Sequence, residues 1–121
     1  MELTLQSIKS GLFIKNYENH SLYIDDEIYR NNVLVTSTAV KNWNFNNKDN
    51  LDINDFTSVF DYKPEIIILG TGESLIIPTS NIINDIQNQG IGFEFMITES
   101  ACKTFNLLVS ENRKVAAALI L

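Results

Sequence analysis

Glu65-Ile66-Ile67-Ile68-Leu69-Gly70-Thr71-Gly72 decides the fold. Successive side chains of a strand point to opposite faces, and here neither face is polar from Ile66 to Leu69, so the strand is expected to be buried on both sides of a sheet. Such a strand needs a layer above and a layer below. Gly70-Thr71-Gly72 then reads as a turn, followed by Leu75-Ile76-Ile77 before Pro78. Further along, the pattern alternates between helix and strand. Ile82, Ile83 and Ile86 share one face of a helix predicted from about Ser80 to Gln89, with Gly90 as its stop. Gly92 to Met96 reads as a central strand. Thr98 is the expected N-cap of a helix running to about Ser110, in which Ala101, Phe105 and Leu108 form an apolar stripe. Val115 to Leu121 closes the pattern as a second strand buried on both faces, and Ala116, Ala117 and Ala118 let helices approach it closely.

Working back from Glu65, Pro64 ends a short helix predicted from an N-cap at Asp52 to Phe60, with Phe56, Val59 and Phe60 on one face. The asparagine-rich stretch Asn42, Asn44, Asn46, Asn47 and Asn50 is the expected exposed loop. Before it, Leu12 to Tyr17, Leu22 to Ile24, Ile28 to Tyr29, Val33 to Thr36 and Ala39 to Trp43 read as short strands. The turns Glu18-Asn19-His20 and Asp25-Asp26-Glu27 separate the first of them in the manner of a meander. The fold class is therefore α/β: a three-layer domain with a central mixed β-sheet, a β-rich N-terminal half and an α-β-α-β-α-β C-terminal half. An α+β split is the alternative. Residues 1–121 read as a single domain.

With 45% hydrophobic and 20% charged residues, the chain has the apolar content of a globular domain rather than a disordered one. Fifteen acidic against nine basic residues give a net charge of −6, the wrong sign for a nucleic-acid backbone or an anionic membrane. That charge is uneven: from Gly90 onward Glu94, Glu99 and Glu111 balance Lys103, Arg113 and Lys114. No apolar run reaches the length of a membrane span, and the N-terminus lacks the pattern of a secretory signal. Cys102 is the only cysteine, which excludes an intrachain disulfide and a thiolate metal cluster. A cytoplasmic protein without stable membrane insertion is expected.

Few residues carry a chemical signal. Gly70-x-Gly72 after a strand has part of a dinucleotide fingerprint, but Leu75 stands where the third glycine belongs and Pro78 delays the helix, so a tight turn is the better reading. Glu94, between Phe93 and Phe95, is expected to be buried and bonded to Arg113, Lys103 or backbone amides. Cys102, early in a helix, could be activated by peptide dipoles, yet its one candidate base, His20, is remote in sequence, and a small buried side chain is the better reading. Thr98, Thr104 and Asn106 read as hydrogen-bonding groups, and Trp43, Phe45, Tyr23 and Tyr29 as core aromatics rather than a binding surface. No catalytic residues, metal ligands or cofactor are assigned.

The stretch from Gly90 to Asn106, the stretch from Glu111 to Leu119 and the Leu69-Gly70-Thr71-Gly72 turn resemble a family of small domains of unknown function. That family includes mitochondrial complex I assembly factor three and the adipogenesis-associated protein of animals. The family usually has Asp at the place of Ile97, Tyr at that of Phe105 and Gly at that of Asn112. The resemblance implies a three-layer α/β domain with a mixed five-strand sheet and no established enzymatic activity. It also implies a non-catalytic interaction module with a protein partner, assisting assembly of a respiratory or other complex. The alternative is a small-molecule or anion-binding protein or enzyme using the Gly70–Gly72 turn, Glu94 and the start of the helix after Thr98. Either function is expected at the rim where parallel strands end and helices begin. The candidate residues are Gly70, Thr71, Gly72, Glu73, Glu94, Thr98, Glu99 and Arg113.

Overall fold

The computed structural model describes residues 12–121. Two sheets organise it. Strands β1 (Ile14–Glu18), β2 (Ser21–Ile24) and β3 (Glu27–Tyr29) form an antiparallel meander, apart from the larger sheet. The larger sheet contains β4 (Val33–Val35), β5 (Val40–Asn42), β6 (Ile66–Gly70), β7 (Gly92–Met96) and β8 (Val115–Leu119) in the order β5-β4-β8-β6-β7. β4 is antiparallel to β5 and β8, whereas β6 runs parallel to β8 and β7, so the sheet is mixed as expected.

Alternation along the strands separates two cores. Leu34, Ile67, Leu69, Ala116 and Ala118 face one side, where they meet Trp43, Phe56 and Val59 together with Ile82 and Ile86. The last two belong to helix α2 (Ser80–Gln87), which Thr79 caps by accepting the Ile82 amide at 3.4 Å. Val33, Val35, Ile68, Val115, Ala117 and Leu119 face the other side. There they meet Ala101, Cys102, Phe105 and Val109 of helix α3 (Thr98–Ser110) and Ile14, Leu22 and Ile24 of the small sheet. Three layers result, with β8 central and buried along its whole length.

The region after Asp52 is helical but tighter than a single α-helix. Asp52 and Asp55 form a reciprocal capping box over a 3₁₀ turn, Ile53–Phe56, that passes into helix α1 (Thr57–Phe60). Trp43 is buried against Phe45 and Phe56 and donates from Nε1 to the Asp55 carbonyl at 2.7 Å. Trp43 and Tyr29 belong to opposite cores, so the aromatic residues do not gather on one surface.

One expectation about the sheet is overturned. β7 is an edge strand, not a central one, and Glu94 is exposed rather than buried in an ion pair. The Phe-Glu-Phe alternation is that of a strand covered on one face, and the edge leaves the other face of Glu94 in water.

Candidate functional site

Because β6 and β7 are parallel neighbours with Gly70 opposite Met96, the loops that leave them share one rim. Main-chain bonds lace the loops together: Thr71 N–H donates to Met96 O, Thr98 N–H to Gly72 O and Ile120 N–H to Gly70 O, each at 2.9 Å. Thr98 is the centre of this lacing. It is the first residue of α3, not its cap; Ile97 holds the cap position and offers no side-chain bond. The buried Thr98 hydroxyl donates to Ile120 O at 2.6 Å and accepts the Gly72 amide at 2.8 Å. Gly70 is required by the same contact, since a Cβ there would stand 2.8 Å from Thr98 Oγ1 and 2.9 Å from Leu119 Cδ2. Gly72 adopts φ +98°, a conformation favoured only for glycine.

Thr71 is equally committed. Its side chain is buried, donates to Ser74 O at 2.7 Å and accepts the Ile76 amide at 3.3 Å. With the Thr71 and Gly72 amides both engaged, the turn does not present the successive free N–H groups that cradle a phosphate. A space of only about 10 Å³ remains below the loop, between Leu69, Thr71, Ile76, Pro78 and Ile120. A cleft of about 290 Å³ lies elsewhere, between the β4–β5 hairpin and α1, where Leu34, Lys41, Ser58 and Asp61 contribute to its walls. The Gly70–Gly72 turn thus holds no pocket of useful size, and although Glu99 also lines a cleft of about 170 Å³ between β1 and α3 with Tyr17, Cys102 and Asn106, the rim itself is otherwise an open surface. Its exposed charges are Glu73 and Glu99, the latter 3.7 Å from Lys103 one helical turn on.

His20, set aside in the sequence as remote, reaches this rim. Its Nδ1 lies 2.7 Å from Leu121 O and its Nε2 3.4 Å from Glu73 Oε2, while the Tyr17 hydroxyl donates to Leu121 O at 3.1 Å. Burial first, then the charges of Glu73 and Cys102, raise the Tyr17 phenol above its ordinary value. Cys102 lies in the core, and burial, with a smaller contribution from Glu99, pushes its thiol up to about 12. The activating effect expected of the helix start does not prevail.

Two candidates stand away from the rim. Arg113 precedes β8 and Glu65 precedes β6, so both sit at the opposite end of the parallel strands. Arg113 Nε donates to Glu65 Oε1 at 2.7 Å and the Lys114 amide to Glu65 Oε2 at 3.3 Å. The guanidinium bond, then the amide bond, hold the Glu65 carboxyl below the usual carboxylate range. Glu94 is exposed on the α3 face of the edge strand β7 and makes no ion pair with a described residue. Among the described residues no group of three or more His, Cys, Asp or Glu side chains is arranged to hold a metal, and no helix is long and apolar enough to cross a membrane.

Similar proteins are known both by sequence and by structure. A protein named 13 kDa major membrane protein from Francisella tularensis subsp. holarctica is 33% identical, and the alignment covers 99% of each chain. NADH dehydrogenase [ubiquinone] 1 alpha subcomplex assembly factor 3 of Xenopus tropicalis is 31% identical over 90% of this chain. The present chain spans 61% of that longer protein's length. Among solved structures, a Xanthomonas campestris protein superposes with a TM-score of 0.81 at 25% identity, covering 90% of this chain and 83% of the other. Residues 14–120 match one family along nearly the whole described chain. The chain belongs to the family described as Protein of unknown function (DUF498/DUF598).

Proposed function

We propose that this protein is a non-catalytic interaction module that helps a protein complex to assemble. The observation that carries the reading is the 31% identity, over 90% of this chain, to a protein named as an assembly factor of NADH dehydrogenase. The chemistry of the rim supports it. Thr71 and Thr98 spend their hydroxyls on the loops, and the one cysteine is buried and protonated at neutral pH. The groups left for a partner are the outward carboxylates Glu73 and Glu99, on a scaffold that Gly70, Thr71, Gly72 and Thr98 hold rigid. A cytoplasmic chain that reaches a membrane-associated complex through a protein partner fits the same reading.

Affinity purification from native cells, with the captured proteins identified by mass spectrometry, tests it. Glu73→Lys and Glu99→Lys are expected to reduce capture of a specific partner, whereas Asp25→Lys in the β2–β3 turn leaves it intact. Capture that Asp25→Lys abolishes and the rim variants leave unchanged would place the site elsewhere. A retained small molecule that the protein converts would replace the reading altogether.

A further inference from the structure

The two edges of the larger sheet are built differently. β5 is three residues long with Lys41 at its middle, and short, charged edges discourage further pairing. β7 is five residues long, carries no Pro or Lys, and keeps an unbroken parallel register with β6 from Gly92 to Met96. In a parallel pair, alternate residues turn both main-chain groups toward the same neighbour. Gly92 N–H donates to Glu65 O and Met96 O accepts from Thr71 N–H, so Gly92, Glu94 and Met96 face β6. The N–H and C=O groups of Phe93 and Phe95 therefore face outward. Neither residue's main chain bonds to a described residue outside the ladder. Both rings pack into or against the core on the α2 side, which fixes the strand while no described residue pairs with its outer edge.

Glu94 marks the middle of this edge. It is exposed on the α3 side, opposite Ile68 in the register, and has no described cation within ion-pairing distance. Because its own main chain faces β6, an antiparallel strand added outside would meet Glu94 at a non-hydrogen-bonded site. Side chains approach most closely at such sites.

We propose that β7 is a docking edge for an extended segment of a protein partner, added antiparallel as a sixth strand. The segment carries Lys or Arg opposite Glu94, flanked by apolar residues opposite Phe93 and Phe95. The main-chain bonds supply affinity and the carboxylate supplies selection. A second copy of this chain fits poorly: the register that uses all five residues of both β7 strands sets Glu94 against its own copy at the closest site. This edge is separate from the rim proposed above, and either assignment can fail alone.

The probes are a short threonine–valine peptide with lysine at its centre and the same peptide with glutamate there, at low ionic strength. Amide hydrogen exchange by NMR is expected to slow at Phe93 and Phe95 on adding the lysine peptide, and to stay unchanged at Glu94 and Met96. The lysine peptide is expected to bind about threefold to tenfold more tightly than the glutamate peptide. Glu94→Lys reverses that preference, while Glu73→Gln at the rim leaves it in place. Equal affinity for both peptides, an unreversed preference in Glu94→Lys, loss of binding in Glu73→Gln, or no protection at millimolar peptide overturns the proposal. Protection of Phe93 and Phe95 that grows with protein concentration alone overturns the choice of partner in favour of a second copy.

Discussion

Thr98 shows how one hydroxyl can fasten three elements. It accepts from the turn after β6, donates to the chain beyond β8 and begins α3, all from a fully buried position. Thr98→Val keeps the shape but strands the Gly72 amide and the Ile120 carbonyl, so urea unfolding is expected to report a loss of about 1–3 kcal/mol. Thr98→Ser, which restores the hydroxyl, should recover most of it. A valine variant as stable as the parent would show that water replaces the hydroxyl. Cys102 adds a pH signature. Its folded thiol is raised to about 12, above the value of roughly 8.5 for an unfolded thiol. Between those values the unfolded chain releases a proton that the folded chain keeps, so stability is complete below the lower value and falls as pH rises toward the upper one. The urea midpoint of the parent is expected to drop between pH 9 and pH 11 (roughly the span of the two values) more than that of Cys102→Ala. Parallel pH profiles for the two proteins would remove the cause assigned here.

The elements are joined by side chains as much as by ladders. Asn106 of α3 accepts the Ile14 amide at 3.0 Å and donates to the Ile14 carbonyl at 2.8 Å, so an amide side chain pairs with β1 as a neighbouring strand would. Asn106→Leu removes both bonds beside a buried residue. It is expected to cost about 1–3 kcal/mol and to speed hydrogen exchange at Ile14 while leaving Ile67 and Ala117 protected. Uniform acceleration across both sheets would mean that the small sheet does not loosen separately. Element identity was largely legible in the sequence. The aliphatic run Ile66 to Leu69 and the Ala116 to Ala118 strand announced themselves because both faces are apolar, and the three C-terminal helix and strand alternations followed. Element position was not legible to the same degree. β7 read as central because Phe93, Phe95 and Met96 are apolar, although the exposed Glu94 between them was the sign of an edge.

For the molecule as a whole, what the sequence hid is what long-range topology decides. Arg113 and Glu65 meet because β6 and β8 start at the same end of the sheet, a fact absent from either residue's surroundings in the chain. His20 reaches Leu121 and Glu73 because the meander folds back over α3, and no local spacing signals it. The shared rim, by contrast, followed from one inference, that β6 and β7 are parallel neighbours, and most of its residues fell where that inference put them. The three alanines of β8 have a consequence for how such a chain can change. Ala116 and Ala118 belong to one core and Ala117 to the other, so at the middle of β8 the partition between them is a single backbone clothed in methyl groups. Each core can be rearranged by compensating exchanges among its own large residues, Phe56 and Ile82 on one side or Phe105 and Val109 on the other. The middle of β8 has no such freedom: with all three alanines buried, any enlargement there pushes on the layer above or below the sheet.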